Sequence, residues 1–276
     1  MIIGNKTFDL ENKSYIMGIL NVTPDSFSDG GRFSGRDDAL RQAETMIEDG
    51  AAIIDVGGES TRPGYTEISE EEEIGRVAPV IELIKANFDI PVSLDTYKCN
   101  VAAAGIAAGA DMINDIWGLR KDQGEMADLI ARTGVACCLM HNRERADYSD
   151  YPDFMTGFRA DIDKILEIAR NHQIKDEQII LDPGIGFGKS YKQNLLTMKN
   201  LSLIQQWKLP FLLGTSRKSM IGYALDLPVN EREEGTLATT VMGRMAGASI
   251  FRVHHVKMNL RALKMADAIL GAGDEK

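Results

Sequence analysis

The sequence predicts a (β/α)8 TIM barrel, and three observations carry that reading. Eight short β-rich runs are spread through the 276 residues, and each ends in polar or glycine-rich sequence. Several of them are continuous apolar stretches, as expected of parallel strands buried on both faces. Their starts advance from residue 15 to residue 248 in seven steps of about 33 residues, the span of a strand plus its crossover helix. Eight such units in this length match the barrel in count and size. An open, doubly wound sheet has fewer strands and is the alternative.

Taken in order, Met1–Ser14 precedes the first run and is expected to form a short hairpin closing the barrel floor. The strands are read as Tyr15–Val22, Ala51–Gly58, Ile90–Thr96, Ala110–Trp117, Gly134–His141, Gln178–Gly184, Pro210–Arg217 and Ala248–His255. In Asp37–Asp49, the apolar positions Ala39, Leu40, Ala43, Met46 and Ile47 lie on one helix face. Ser69 followed by Glu72 predicts a capping box opening a helix to about Phe88. Phe154–Asn171, Tyr191–Trp207, Val229–Gly247 and Lys257–Leu270 are helical by the same periodicity. No linker or composition break divides the chain, so one domain over residues 1–276 is expected.

Composition narrows the function classes. With 44% apolar and 26% charged residues the chain can bury a large core, which argues against disorder. A net charge of −10 leaves no broad basic footprint for nucleic acid or an anionic membrane. Any anionic ligand must therefore meet locally gathered cations. Three cysteines, two of them adjacent, suit a reducing compartment and a cytoplasmic protein. No apolar stretch suggests a signal peptide or a membrane span.

Active sites of this fold lie on the loops after the strands, and that is where the unusual residues fall. The first two strands run into Asn21–Gly31 and Gly57–Gly64, long loops rich in glycine, hydroxyls and charge, as substrate-covering loops are. The third and fourth end in Asp95 and Asn114, which alternation can bring together above the core; each alone could equally cap a helix. The sixth ends in Asp182-Pro-Gly-Ile-Gly-Phe-Gly-Lys-Ser190. The spacing satisfies neither a Walker A loop nor a dinucleotide fingerprint. It leaves a strand-end carboxylate able to accept two parallel hydrogen bonds from a guanidine-like edge. Arg252 and His254, two apart on the eighth strand, suit phosphate oxygens. The four histidines lack zinc spacing, and no nucleophile elbow or Cys–His signature occurs.

The segments NVTPDSFSDGG, GGESTRPG, SLDT, INDIWG, DPGIGFGK, GTSRKSMIG, GTLATTVMG and RVH, in this order over residues 21–254, closely resemble the dihydropteroate synthase family. The resemblance implies a folate-pathway transferase, the target of sulfonamides. It would join (7,8-dihydropterin-6-yl)methyl diphosphate to 4-aminobenzoate with loss of diphosphate. By matching position, Asp95, Asn114, Asp182 and Lys218 would line the pterin pocket. Thr61, Arg252 and His254 would take the diphosphate, and Asn21 would help to hold Mg2+. Thr61, Arg62, Pro63, Phe187 and Ser219 would shape the aminobenzoate site. Asp95, Lys218, Arg252 and His254 would be the catalytic groups, and a homodimer is implied.

The resemblance is broken at His255, where the family commonly has aspartate. Strand alternation predicts that this side chain points away from the diphosphate, so the change bears on helix capping or packing. Departure of diphosphate would leave a pterin-methyl cation, which Asp95 can stabilise and an aromatic amine can attack without a general base. The competing readings are a pterin-dependent methyltransferase module on the same barrel and a catalytically silent pterin-binding protein.

Overall fold

The computed structural model describes residues 1–22, 31–59 and 67–272. Strands β1 (Ile2–Ile3) and β2 (Lys6–Thr7) pair antiparallel as the expected hairpin. Eight parallel strands follow: β3 (Tyr15–Asn21), β4 (Ile53–Gly57), β5 (Val92–Asp95), β6 (Met112–Asp115), β7 (Ala136–Met140), β8 (Ile179–Asp182), β9 (Leu212–Leu213) and β10 (Ile250–Val253). The sheet runs β8-β7-β6-β5-β4-β3-β10-β9. A parallel bridge from Leu181 to Phe211 joins its two ends and closes the barrel. Every predicted strand is present, shortened at one or both ends.

The helices are α1 (Gly31–Glu48), α2 (Glu70–Asn87), α3 (Cys99–Ala107), α4 (Glu125–Thr133), α5 (Phe154–Asn171), α6 (Tyr191–Lys199), α7 (Ser219–Leu225), α8 (Glu233–Met245) and α9 (Val256–Leu270). Four of the predicted helices differ from the expectation, the first being α1, which begins at Gly31 and not at Asp37. The predicted helix over 191–207 ends at Lys199 and continues as a 3-10 segment, Leu201–Trp207. The segment read as helical from Val229 opens with a separate 3-10 turn before α8 begins. At α2, Ser69 accepts from the Glu72 amide as predicted, but the Glu72 carboxylate turns to Arg76, so only half of the capping box forms. A reciprocal box closes instead between Ser190 and Gln193 at α6.

Alternation along the strands builds the interior in layers. Met17, Ile53, Met112, Cys138, Ile180, Leu212 and Ile250 form an apolar floor, capped from below by Ile3, Phe8 and Leu10. Outward residues such as Ile54, Leu94, Ile113, Leu181 and Phe251 pack against the helices. Two residues past the floor, on the same inward face, four strands carry a polar group: Asp55, Asn114, Asp182 and Arg252. The sheet therefore changes from oil to charge within about 7 Å, two residues of strand rise.

Candidate active site

Arg252 is the hub of this polar layer. Its Nε donates to Asp55 Oδ2 at 2.6 Å and its Nη2 to Asp95 Oδ2 at 2.7 Å. Asn114 Nδ2 reaches the same Asp55 oxygen at 3.4 Å. Three strands are thus tied across the mouth by one guanidinium, whose charge the two carboxylates hold firmly in place. The second oxygens, Asp55 Oδ1 and Asp95 Oδ1, are buried with no hydrogen-bond partner among the described residues. Buried acceptors left in this way call for donors from a ligand.

Asp182 lies on the opposite wall, with Oδ1 accepting from the Gly184 amide at 2.7 Å. Burial pushes its carboxyl above the ordinary range, while Lys218, that amide, Lys189 and Arg252 draw it back. Burial likewise raises Asp95, opposed by Arg252 and reinforced by Asp55. Lys218 donates to the Ile185 carbonyl and sits 4.3 Å from the centre of the Phe187 ring. Burial lowers its pKa to about 8, against the attraction of Asp182 and Asp95. Lys218 and Arg252 each act electrostatically on both Asp95 and Asp182, so the four face a common space. Beside them Tyr97, Ile116 and Met140 form an apolar patch, packed by Trp117 and Phe187. The arrangement suits a flat heterocycle, with an apolar face and a rim of N–H donors.

A second cleft of about 260 Å³ opens next to it, lined by Ile19, Asn21, Gln42, Arg217, His254 and His255. The Ser216 hydroxyl accepts from the His254 backbone amide at 3.3 Å and lies 2.9 Å from Nδ1. The cationic and amide lining suits an anion.

Of the residues singled out from sequence, Asp95, Asn114, Asp182, Lys218, Phe187 and Arg252 meet in the barrel mouth, while Asn21 and His254 line the neighbouring cleft. Arg252 and His254 do not share one lining. The Arg252 guanidinium is engaged by Asp55 and Asp95, and it is Arg217 that lines the cleft with His254. Ser219 opens α7 and is exposed. Thr61, Arg62 and Pro63 lie outside the described residues. The expected orientation of His255 is corrected. β10 ends at Val253, so alternation no longer governs residue 255, and His255 lines the same cleft as His254. At the N-cap of α9 its side chain makes no capping hydrogen bond.

Sequence reading passed over Asp55, Ile116 and Met140. For Asp55 the signal was available: a lone carboxylate inside the apolar run Ala51–Gly58 needs a buried partner. Nothing local distinguishes Ile116 and Met140 from core residues.

Fold and site together define a TIM-barrel enzyme of the pterin-binding type. The sequence pattern of the pterin binding enzyme family matches residues 17–254. A dihydropteroate synthase of Clostridium beijerinckii is 58% identical over 98% of this chain and 99% of its own length. That of Bacillus subtilis is 50% identical over 95% of this chain and 91% of its own. Among solved structures, a Clostridium difficile dihydropteroate synthase in the presence of pteroic acid superposes with a TM-score of 0.92 at 48% identity, covering 95% of this chain and 99% of that one. A Xanthomonas albilineans enzyme with 4-aminobenzoic acid gives 0.89 at 37% identity, covering 95% and 94%. The chain belongs to the pterin-binding enzymes and, within them, to the dihydropteroate synthase family.

Proposed function

We propose that the chain condenses (7,8-dihydropterin-6-yl)methyl diphosphate with 4-aminobenzoate to give 7,8-dihydropteroate and diphosphate. The observation that carries this is the barrel mouth. Asp182, Asn114 and the unpartnered oxygens of Asp55 and Asp95 face the same space as Lys218 and Arg252, against an apolar wall. Asp182 grips the 2-amino and N3 edge of the pterin, Asn114 and Lys218 hold the remaining polar edge, and Phe187 bounds the aminobenzoate side. Thr61, Arg62, Pro63 and Ser219 complete that side on the resemblance alone.

The C–O bond to diphosphate breaks first. The electron pair leaves with the diphosphate, and positive charge develops on the pterin methylene. Asp95, held by Arg252, stabilises that charge. His254 and Arg217, in the adjoining cleft, take the departing anion, with Arg252 near enough along the strand to assist. The aromatic amine then attacks the methylene, loses a proton to solvent, and forms the new C–N bond.

Mg2+ fits the cleft by its donor chemistry. This ion keeps most of its waters and is commonly held by one or two protein oxygens together with substrate phosphate. Asn21, beside Gln42, supplies one such oxygen. Asn21 would hold the ion, which when bound neutralises charge on the leaving group.

An exposed apolar stripe on α7, α8 and α9, including Tyr223, Met242, Met245, Met265 and Ile269, supports a homodimer. A cytoplasmic location is supported by the free thiols Cys99, Cys137 and Cys138. Among the described residues, no helix is long and apolar enough to cross a membrane. The test is diphosphate release that requires both substrates. Release without 4-aminobenzoate, or methyl transfer to a corrinoid protein instead, would overturn the reading.

A further inference from the structure

We propose that Lys189, half-buried beneath the loop after β8, is a positioning residue that presents the Asp182 carboxylate as a double acceptor for the pterin. The inference rests on the proposed function above, in which Asp182 grips the ring. Lys189 makes no contact with Asp182 in the hydrogen-bond network and acts through the loop and through its charge.

The geometry is a cage of acceptors. Lys189 Nζ lies 2.8 Å from the Gly184 carbonyl, 3.1 Å from that of Phe187, 3.3 Å from that of His141, and 2.8 Å from His141 Nδ1. Burial lowers the Lys189 pKa, opposed by Asp182 and Asp161; among three carbonyl oxygens and an imidazole nitrogen left bare, the ammonium, with three donors and no acceptor, is the form that matches the cage. The imidazole must then present a bare Nδ1. Its Nε2–H donates to Asp161 Oδ2 at 3.2 Å, and Arg143 clamps Asp161 through Nε at 2.6 Å and Nη2 at 3.0 Å. Burial and the Lys189 charge depress the His141 pKa to about 3, so the ring is neutral and the tautomer is fixed. The chain Arg143–Asp161–His141–Lys189 thus runs from the outside of β7 to the underside of the β8 loop.

Asn194 also holds that loop, accepting from the Gly186 amide at 2.6 Å and donating to the Lys189 carbonyl at 3.3 Å. The loop bends through positive φ at Gly184, where an added Cβ would stand 1.9 Å from the His141 carbonyl oxygen. The two carbonyls that Lys189 ties down flank Ile185, whose own carbonyl takes Lys218 from the other side. Two lysines therefore pin one turn from opposite faces. The Gly184 amide, fixed by this pinning, is the group that orients Asp182.

The charge matters as well as the scaffold. Asp182 feels Lys218, Lys189 and Arg252 as its positive neighbours, with the Cys138 thiol beside it as a titratable neighbour. Lys189 in turn faces Asp182, Lys218, Asp161 and Arg120. Removing the Lys189 charge lets burial push the Asp182 carboxyl further up. A protonated Asp182 cannot accept from both pterin N–H groups, so the acid limb of pterin binding must move to higher pH.

The experiment is calorimetric titration of the full chain with a free pterin across pH, comparing the parent with Lys189→Met, Lys189→Gln and His141→Leu. We expect the methionine variant to bind about tenfold more weakly at neutral pH, with its acid limb displaced upward by about one unit, a tenfold effect. His141→Leu keeps the charge and the three carbonyls, so it weakens binding with the limb unmoved, as a packing defect would. If the methionine variant does not fold, Lys189→Gln keeps donors for the Gly184 and Phe187 carbonyls and carries the same test. Folded, uncharged variants with the parent's affinity and limb would overturn the proposal. A parent chain that binds no pterin would instead overturn the functional reading beneath it.

Discussion

At the scale of single residues, the site is a balance of buried charges, and each member answers for the others. Asp182→Asn keeps shape but replaces one acceptor by a donor. We expect it to weaken pterin binding by about 1.5–3 kcal/mol, the worth of a hydrogen bond to a charged group, read by calorimetry. Unchanged affinity would remove Asp182 from the pocket. Arg252→Ala strands Asp55 and Asp95 together beneath the mouth. Turnover should fall by roughly a hundredfold or more in kcat/KM, and stability should drop by about 3–5 kcal/mol, the cost of breaking a buried pair. Because Asp95, already raised by burial and opposed by Arg252, then titrates at still higher pH in the folded state, the stability deficit should shrink in acid. Thermal melts of parent and variant at two pH values test that sign. Lys218 gives a third expectation. With its pKa lowered to about 8, the charged form is lost above that pH, so kcat/KM for the pterin diphosphate should decline on the alkaline side. Lys218→Met should flatten that limb while lowering the plateau; an undiminished alkaline decline in the variant would assign it to another group.

At the scale of elements, the strands and the β8 loop illustrate how much local sequence can say. The runs around Ile53, Met112, Ile180 and Ile250 are legible as buried parallel strands because they are apolar on both faces. The polar residue two places on is legible as a site residue because alternation points it inward. Strand lengths were overread, most at β9, where Leu212–Leu213 alone pair with a neighbour on β10 and Gly214 onward leaves the sheet. Helices α3, α4 and α7 were not singled out. The α3 sequence CNVAAAGIA has no polar face to reveal a period, and α7 spans only Ser219–Leu225. The glycine-rich turn after β8 is sharper still. Gly184 has φ of +65° and its missing Cβ makes room for the His141 carbonyl. Gly184→Ala should therefore cost more than the ~1 kcal/mol typical of a strained glycine site, and should lower pterin affinity along with the melting temperature. A fully stable variant with normal pterin binding would show that the turn tolerates displacement.

At the scale of the whole molecule, the barrel separates stability from chemistry along its axis. The floor and hairpin below are apolar, whereas the mouth gathers cations in a chain of net charge −10. That gathering is what lets an acidic protein hold an anionic substrate. The flank formed by α7, α8 and α9 carries Tyr223, Met245, Met265 and Ile269, each more than 60% exposed. The homodimer proposed above would bury this flank. Sedimentation should give twice 30.4 kDa, and Met245→Glu with Met265→Glu should shift the chain to monomer while leaving the barrel folded. A monomeric parent would remove the dimer from the account.

The order of strands, most of the crossover helices and the inward polar positions were determined by the sequence itself, because alternation and apolar runs are local and repeat eight times. So was the grouping of Asp95, Asn114, Asp182, Lys218 and Arg252 at one end, since every parallel strand delivers its last residue to the same face. Three things were decided only by the closed barrel. Arg252 turned from the anion cleft to Asp55 and Asp95, His255 joined His254, and Lys189 found its cage beneath the β8 loop. The first and the last depend on side chains more than 40 residues apart meeting in space, where desolvation and charge pairing choose among partners that no local pattern can rank; the second depends on where β10 ends.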